Sequence, residues 1–280
     1  YIMFSMKCDL HIHTHCSDGS RSPEQVVDMA VESGLDCIAV TDHDNVSGVE
    51  RAIGHAQGRI QVLAGAEISS YGTCDVHILA YNIDFHNEQC SEELRHIASM
   101  RENRNVLLAE KLKEHGMEIS LDSIKARKQS VVGRADIAQE MVRLGYCNSV
   151  SEAFDKYIGN GKCCFVRAKR LTPLEAIKFA LRYGGIPVLA HPKNLHIPFK
   201  RFNEFLLPLV KGGLAGIEAK YFTHTVTERR FYMRIAKKYN LVVTGGSDYH
   251  DGDHGVMLGT KHFVPDAHTA EILGIRQEKK

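Results

Sequence analysis

The stretch that decides the fold is Asp9-Leu10-His11-Ile12-His13-Thr14-His15-Cys16-Ser17-Asp18-Gly19. It brings three histidines and two aspartates together after an apolar start of the chain. Because residues two apart on a β-strand face the same side, the imidazoles of His11 and His13 stand about 7 Å apart on one face. One metal ion can accept both, so the stretch predicts the first part of a metal site that later segments complete.

The composition is that of an ordinary globular protein. The chain has 280 residues, of which 44% are hydrophobic and 25% charged, which suits one or two domains. The net charge of +1 gives no general basic surface, so we expect neither duplex nucleic acid nor a membrane as a partner. Eight scattered cysteines without a Cys-x-x-Cys pair, and no signal-peptide pattern, predict free thiols and a cytoplasmic location.

The order of the predicted elements indicates a parallel α/β barrel. Residues 7–14 form a first strand, and Ser22-Pro23 then starts a helix, because serine caps helices and proline favours the first helical position. Residues 37–41 form an apolar strand of the kind buried on both faces of a parallel sheet. This alternation resumes after residue 171, whereas the intervening segment is helical in pattern. We therefore predict a barrel of residues 1–85 and 165–280, with a helical insertion of residues 86–164 covering the active site.

Polar residues at the strand ends form the predicted site, because functional side chains of parallel α/β folds collect at the C-terminal ends of strands. The candidate metal ligands come from seven segments and are His11, His13, Asp18, His43, Glu67, His77, His191, Asp248 and His250. Nine nitrogen and oxygen ligands exceed the need of one ion and fit two to three divalent metal ions (Zn, Mn, Fe or Mg). Glu67 is the natural carboxylate to bridge two of them.

These residues lie in motifs that resemble the PHP (polymerase and histidinol phosphatase) family. The motifs are Asp9-Leu10-His11-Ile12-His13-Thr14, Ser17-Asp18-Gly19, Thr41-Asp42-His43, Gly65-Ala66-Glu67, His77-Ile78-Leu79, Ala190-His191-Pro192 and Gly246-Ser247-Asp248-Tyr249-His250. The resemblance covers residues 7–255 and implies a distorted (β/α)7 TIM-like barrel with a trinuclear metal site. The ligand sets that it implies are His11, His13, Glu67 and Asp248 for one ion, Glu67, His77 and His191 for a second, and Asp18, His43 and His250 for a third.

The insertion resembles one branch of that family, which includes 3′,5′-nucleoside bisphosphate phosphatases. The similarity lies in residues 133–138 and 157–162. The chain departs from the branch at Asp136, where histidine is common, and at Cys163-Cys164 and Arg167, which replace a proline-rich segment.

A phosphorylated substrate requires cations and a proton donor, and several side chains are candidates. Arg134 matches the branch motif, and arginine suits bidentate contact with phosphate. The other candidates for substrate binding are Lys162, Arg167, Lys193 and His15. Glu67 and Asp248 are the catalytic candidates among the metal ligands, and either His196 or His224 could protonate the leaving oxygen.

Together these features predict a metal-dependent phosphoesterase in which a metal-bridging hydroxide attacks phosphorus. The leading substrate is a nucleoside 3′,5′-bisphosphate, with pAp giving AMP and phosphate. Alternatives with the same chemistry are a cyclic-phosphate (phosphoribosyl) phosphodiesterase and a 5′ exoribonuclease on short RNA. A non-catalytic, polymerase-type PHP module is the alternative of another class. The expected partner is a small phosphorylated substrate, a nucleotide or short oligonucleotide, and the oligomeric state stays open.

Overall fold

A computed structural model of the chain describes residues 6–72, 74–128, 132–166, 170–250, 257–259 and 262–276. The strands β1 to β7 of these residues span Cys8–Ile12, Cys37–Val40, Gln61–Tyr71, Asp75–Tyr81, Ile186–Leu189, Gly216–Ile217 and Val242–Val243. The helices α1 to α10 span Pro23–Glu32, Val49–Ala56, Glu88–Glu114, Leu121–Lys128, Arg134–Arg143, Val150–Ala153, Pro173–Arg182, Phe199–Lys211, Val226–Tyr239 and Ala267–Leu273. A π-helical turn, Phe154–Ile158, continues α6, and a short 3₁₀ helix, Pro192–Leu195, follows β5.

The seven strands form one sheet in the order in which they occur along the chain. β1 to β3 pair in parallel, as do β5 to β7, whereas β4 runs antiparallel to both of its neighbours. Backbone bonds also join β1 to the segment after β7. Leu10 N–H donates to Gly245 O over 3.2 Å, and His13 N–H donates to Tyr249 O over 2.9 Å. The sheet therefore curls back on itself, which confirms the predicted α/β barrel-like fold.

Strand β4 departs from the predicted alternation of strand and helix. β3 extends to Tyr71, and the chain turns back at Gly72 to begin β4 at Asp75. The two strands then pair from Gly65 opposite Tyr81 to Tyr71 opposite Asp75. Because β4 is reversed, its early residues lie at the end of the sheet where the parallel strands finish. A histidine near the start of this strand can therefore reach a site built from strand ends.

The cap of α1 begins this helix where the sequence predicts, and α7 and α9 begin with caps of the same kind. The side chains of Ser22, Thr172 and Thr225 each accept a bond from the backbone N–H three residues later. The residue at that later position returns a bond to the cap, so each start is a capping box. Such caps contribute about 1 kcal/mol each. They fix where the loops at the strand ends give way to helix.

Gly246 allows the segment after β7 to pass close to β1. A Cβ at this position would lie 2.5 Å from the Cβ of His11 and 2.6 Å from its backbone nitrogen. No larger residue fits at such distances without moving one of the two segments. Glycine here thus permits Asp248, two residues later, to lie beside His11.

The chain divides into two compact units, residues 1–94 with 171–280, and residues 95–170. The first contains the seven-stranded sheet. The second, called the helical unit below, has an apolar core of its own, which includes Leu112, Ile137, Met141 and Ile158. That this unit covers the active site stays a prediction. None of the helices in the described ranges is long and apolar enough to cross a membrane.

Candidate metal centre

Glu67 lies at the centre of the candidate metal site and is fully buried in β3. Imidazole nitrogens surround both of its carboxylate oxygens at distances of 2.9 to 3.5 Å. These nitrogens are His191 Nε2, His77 Nδ1 and His11 Nε2 beside Oε1, and His43 Nδ1 and His13 Nε2 beside Oε2. A carboxylate with neighbours of this kind at both oxygens has the geometry of a bridging metal ligand.

Two aspartates flank this central carboxylate. Asp248 Oδ1 lies 3.4 Å from His11 Nε2 and 3.2 Å from His13 Nε2. Asp18 Oδ1 lies 3.2 Å from His250 Nε2 and 3.5 Å from His13 Nδ1. The fold thus brings the nine predicted ligands, drawn from seven segments of the sequence, into one cluster.

Buried polar atoms without a hydrogen-bond partner show that the cluster suits metal ions. Among the described residues these atoms include His11 Nε2, His13 Nε2, His43 Nδ1 and Glu67 Oε2. They lie close to neighbouring ligand atoms, but not in hydrogen-bond geometry. Burying unpaired polar atoms costs free energy, and one divalent ion with bonds of about 2.0–2.2 Å would satisfy several of them at once.

The ligand atoms fall into three groups, within each of which all atoms lie within 4.8 Å of one another. The groups are His11, His13, Glu67 and Asp248; His13, Asp18, His43 and His250; and His43, Glu67 and His77. The first has the composition that the family resemblance implies. The second group contains His13 in addition to the Asp18, His43 and His250 that the resemblance implies for one ion. The third group contains His43 beside Glu67 and His77, whereas the resemblance implies His191 in that place. The rings of His13 and His43 are 4.5 Å apart between centroids, so they lie where groups meet.

Burial and charge shift the pKa values of this cluster in opposite directions. Burial by itself would lower the pKa of His11, but the charges of Glu218, Asp248 and Glu67 raise that pKa well above its usual value. Burial would raise the pKa of Asp248, yet the neighbouring imidazoles hold it well below its usual value. The pKa of Glu67 is lowered in the same way. These carboxylates are therefore ionised at neutral pH, as metal ligands must be.

Glu218 and Tyr221 hold the ligands in place, and neither is among the predicted site residues. Glu218 follows β6, is fully buried, and lies 3.1 Å from His11 Nδ1. Its Oε2 also accepts a bond from His191 N–H over 2.7 Å. Tyr221 OH donates to Asp248 Oδ2 over 2.9 Å. Such partners orient metal ligands. The signal available for Glu218 was an acid at the end of an apolar strand.

Two residues of the site have a backbone conformation that is unusual for side chains with a Cβ. The φ angles of His191 and Asp248 are 24° and 53°, in the left-handed region. Histidine and aspartate tolerate this region better than most residues, but a strained conformation still costs about 1–3 kcal/mol. The surrounding hydrogen bonds of Glu218 and Tyr221 hold both residues there. Local strain thus accompanies the positioning of two ligands.

Four predicted substrate or proton-transfer residues lie outside the ligand groups, in the same unit. His15 is exposed, with Nε2 3.4 Å from an arginine of α2. Lys193 Nζ donates to a backbone carbonyl over 3.0 Å, and His196 is exposed at the end of the 3₁₀ helix. His224 is buried, with Nδ1 3.0 Å from a backbone carbonyl oxygen. Their roles stay predictions.

The remaining predicted residues belong to the helical unit. Arg134 is the first residue of α5, and its guanidinium carbon lies 5.1 Å from the centre of the Phe165 ring. Lys162 is exposed in a turn. Arg167 lies outside the described residues. Asp136 accepts a bond from the N–H of the α5 cap over 2.7 Å, which is a structural use of the residue that replaces the branch histidine.

Comparison with known proteins decides the family. The chain matches the PHP domain over residues 9–158, which is more than half of its length. The chain belongs to the PHP family. The matched residues include all of β1 except Cys8, β2 to β4, and six of the nine clustered ligands of this PHP protein.

Relatives of this PHP protein match nearly its whole length. A 5′-3′ exoribonuclease of Haemophilus influenzae is 31% identical, with 93% of this chain and 96% of that protein covered. A 3′,5′-nucleoside bisphosphate phosphatase of Chromobacterium violaceum is 28% identical, with 92% of each covered. A structure from Bifidobacterium adolescentis, described as a metal-dependent phosphoesterase, is 26% identical with a TM-score of 0.78 over 98% of each chain. These are phosphoric ester hydrolases, and this PHP protein is an enzyme of that class.

Proposed function

We propose that this PHP protein hydrolyses the 3′ phosphoester of a 5′-phosphorylated nucleotide, with a nucleoside 3′,5′-bisphosphate as the leading substrate. The observation that carries the proposal is the burial of the Glu67 carboxylate among imidazole nitrogens at both of its oxygens. This arrangement suits two or more divalent ions. When bound, such ions would activate water and neutralise the negative charge of the phosphate oxygens.

The protein's own side chains would fix the positions of the ions and of the reacting phosphate. Glu218 holds His11 and the backbone of His191, and Tyr221 holds Asp248. Burial lowers the pKa of His224. A neutral imidazole at physiological pH accepts a proton more readily than it donates one. The role of His224 as proton donor to the leaving oxygen therefore stays a prediction.

A 5′-3′ exoribonuclease acting on short RNA is the second candidate, and the 31% identity to an enzyme of that name favours it. Both candidate substrates contain the same reacting unit, a nucleotide with a 5′ phosphate and an esterified 3′ oxygen. They differ in whether the 3′ phosphorus carries a second ester. A phosphoribosyl cyclic phosphate lacks this unit, so we rank the cyclic phosphodiesterase below both.

A substrate comparison tests the proposal. Metal-reconstituted enzyme is assayed with pAp, a short 5′-phosphorylated RNA, the same RNA without its 5′ phosphate, a phosphoribosyl cyclic phosphate and histidinol phosphate. We expect the highest kcat/KM with pAp and equal release of AMP and phosphate. Faster release of mononucleotides from the 5′ end of the RNA would instead assign the exoribonuclease. Preference for the cyclic phosphate or histidinol phosphate would refute the proposed substrate class.

The contribution of Arg134 is tested separately. If its guanidinium binds substrate phosphate, Arg134→Ala loses a charged hydrogen bond of about 1.5–3 kcal/mol, which raises KM roughly 10- to 150-fold. The control is Arg143→Ala on the same helix, whose guanidinium is bonded to Glu140. An unchanged KM in Arg134→Ala would remove this residue from the substrate site without affecting the case for the metals.

A further inference from the structure

A second cluster of metal-ligating side chains lies in the helical unit and shares no residue with the ligand groups around Glu67. It consists of His115, Cys163 and Cys164, whose ligand atoms all lie within 4.8 Å of one another. His115 directly follows α3, and the cysteine pair lies in the turn after the π-helical turn. The fold thus joins two segments that are far apart in sequence.

The distance between the two sulfur atoms matches a shared ion. Cys163 Sγ and Cys164 Sγ are 3.8 Å apart, and both residues are free thiols. Two thiolates on one tetrahedral Zn²⁺, with Zn–S bonds of about 2.3 Å, are separated by about 3.8 Å. The side chains therefore need little rearrangement to hold an ion together.

One nitrogen of the histidine is engaged in a hydrogen bond to the backbone. His115 Nδ1 lies 2.9 Å from Lys111 O, so this nitrogen carries the proton and donates to the carbonyl. The Nε2 lone pair is then left for a metal, and metal-bound histidines commonly have their other nitrogen fixed in this way. Cys164 Sγ lies 3.7 Å from the same carbonyl oxygen. Lys111 O thus positions two of the three candidate ligands.

Two of the three side chains are exposed to solvent, and the third packs in an apolar core. Cys164 is buried and belongs to the apolar core of the helical unit, whereas Cys163 and His115 are exposed. An ion can reach the cluster from solvent and then be shielded on one side. The Lys111 ammonium donates a hydrogen bond to Phe165 O over 3.1 Å.

We propose that His115, Cys163 and Cys164 bind one soft or borderline cation, with Zn²⁺ as the expected ion, at a site within the helical unit. Two thiolates and an imidazole favour Zn²⁺ over Mg²⁺ or Mn²⁺, which prefer oxygen ligands. Binding releases the two thiol protons to solvent, and water fills the fourth position. Because the ion joins the end of α3 to a distant turn, it closes a long loop and stabilises the unit.

Cobalt binding to the full chain tests this site. The protein is purified with a non-thiol reductant, stripped of metal and titrated with Co²⁺. Thiolate-to-cobalt charge transfer absorbs in the near ultraviolet and requires cysteine ligands, whereas the ligands around Glu67 are nitrogens and oxygens. At saturation, wild type should develop this absorption with the intensity of one thiolate-bound cobalt ion per chain, and added Zn²⁺ should abolish it. Cys163→Ser should lose the band, and His115→Ala should weaken the underlying binding by at least about 100-fold.

The controls separate metal binding from folding and from the phosphoesterase site. His96→Ala removes an exposed histidine of α3, the helix that His115 follows, and should leave the band unchanged. Glu67→Gln should also retain it. Cys163 is exposed, so its serine variant should give the wild-type circular dichroism spectrum. In a chain that also carries Glu67→Gln, the Cys163→Ser change should reduce the rise in Tm that Zn²⁺ produces in Glu67→Gln alone. The absence of a band in reduced wild type, or a band of equal intensity in Cys163→Ser, overturns the proposal.

Discussion

Replacing Glu218 by glutamine removes one negative charge from behind the metal ligands while keeping the shape of the side chain. In the wild type the carboxylate interacts with two groups at once. His11 Nδ1 lies 3.1 Å from Oε1, and His191 N–H donates to Oε2 over 2.7 Å. Glutamine has a single acceptor oxygen, so Glu218→Gln can satisfy one of these donors and turns its NH₂ group towards the other.

The size of the effect follows from the bond that is lost. A buried hydrogen bond to a charged acceptor contributes about 1.5–3 kcal/mol, which is roughly 10- to 150-fold in an equilibrium constant. Loss of an outer partner of a metal ligand typically costs about 10- to 100-fold in metal affinity. We therefore expect metal affinity to fall by about 10- to 100-fold. The turnover number at saturating metal should stay within about threefold of the wild type, because Glu218 acts through His11 and His191.

The assay measures metal affinity and turnover on the same samples. Metal-free enzyme is titrated with Mn²⁺ against a competing chelator, and pAp hydrolysis is followed across the same titration. Glu204→Gln is the matched control, since it removes a charge from an exposed residue of α8. If Glu218→Gln binds metal as tightly as Glu204→Gln, or if saturating metal does not restore its turnover, the assigned positioning role is incorrect.

Three further outcomes are expected. Glu67→Gln should lose at least one bound ion per chain, and its kcat/KM should fall more than about 10³-fold, or roughly 4 kcal/mol in activation free energy. Elemental analysis and steady-state kinetics check this, and a kcat/KM within tenfold of the wild type would contradict it. Tyr221→Phe removes one bond to Asp248 and should lower kcat/KM about 5- to 30-fold with unchanged metal content. Hydrogen bonds from Arg143 and Arg127 lower the pKa of Glu140 to about 2. This stabilisation is complete above the unfolded pKa of about 4.3 and is lost as the pH falls towards 2, so Glu140→Gln should cost about 1–3 kcal/mol in unfolding free energy at pH 7. If Glu140→Gln costs as much unfolding free energy near pH 3 as at pH 7, the hydrogen bonds from the two arginines are not the source of the stabilisation.

The sequence alone identified the PHP family and the clustered residues of the candidate metal centre, because their signals are local. Two histidines two apart in β1 share a face through the covalent geometry of a strand. Acids and histidines that end apolar runs collect at one end of a parallel sheet. The caps of α1, α7 and α9 depend only on residues within one turn. Each of these features is set by neighbours in the chain.

The tertiary structure decided which of these residues meet, because that depends on contacts between distant segments. The reversal of β4 carries His77 to Glu67, and it could not be foreseen from an apolar run that fits either strand direction. Glu218 is separated from His11 by 207 positions, so no spacing in the sequence links them. The cysteine pair was visible as a departure from the family pattern, but its histidine partner was not. The covalent geometry of a strand or turn fixes which residues can be ligands, and the packing of the whole barrel and of the helical unit fixes how they are grouped.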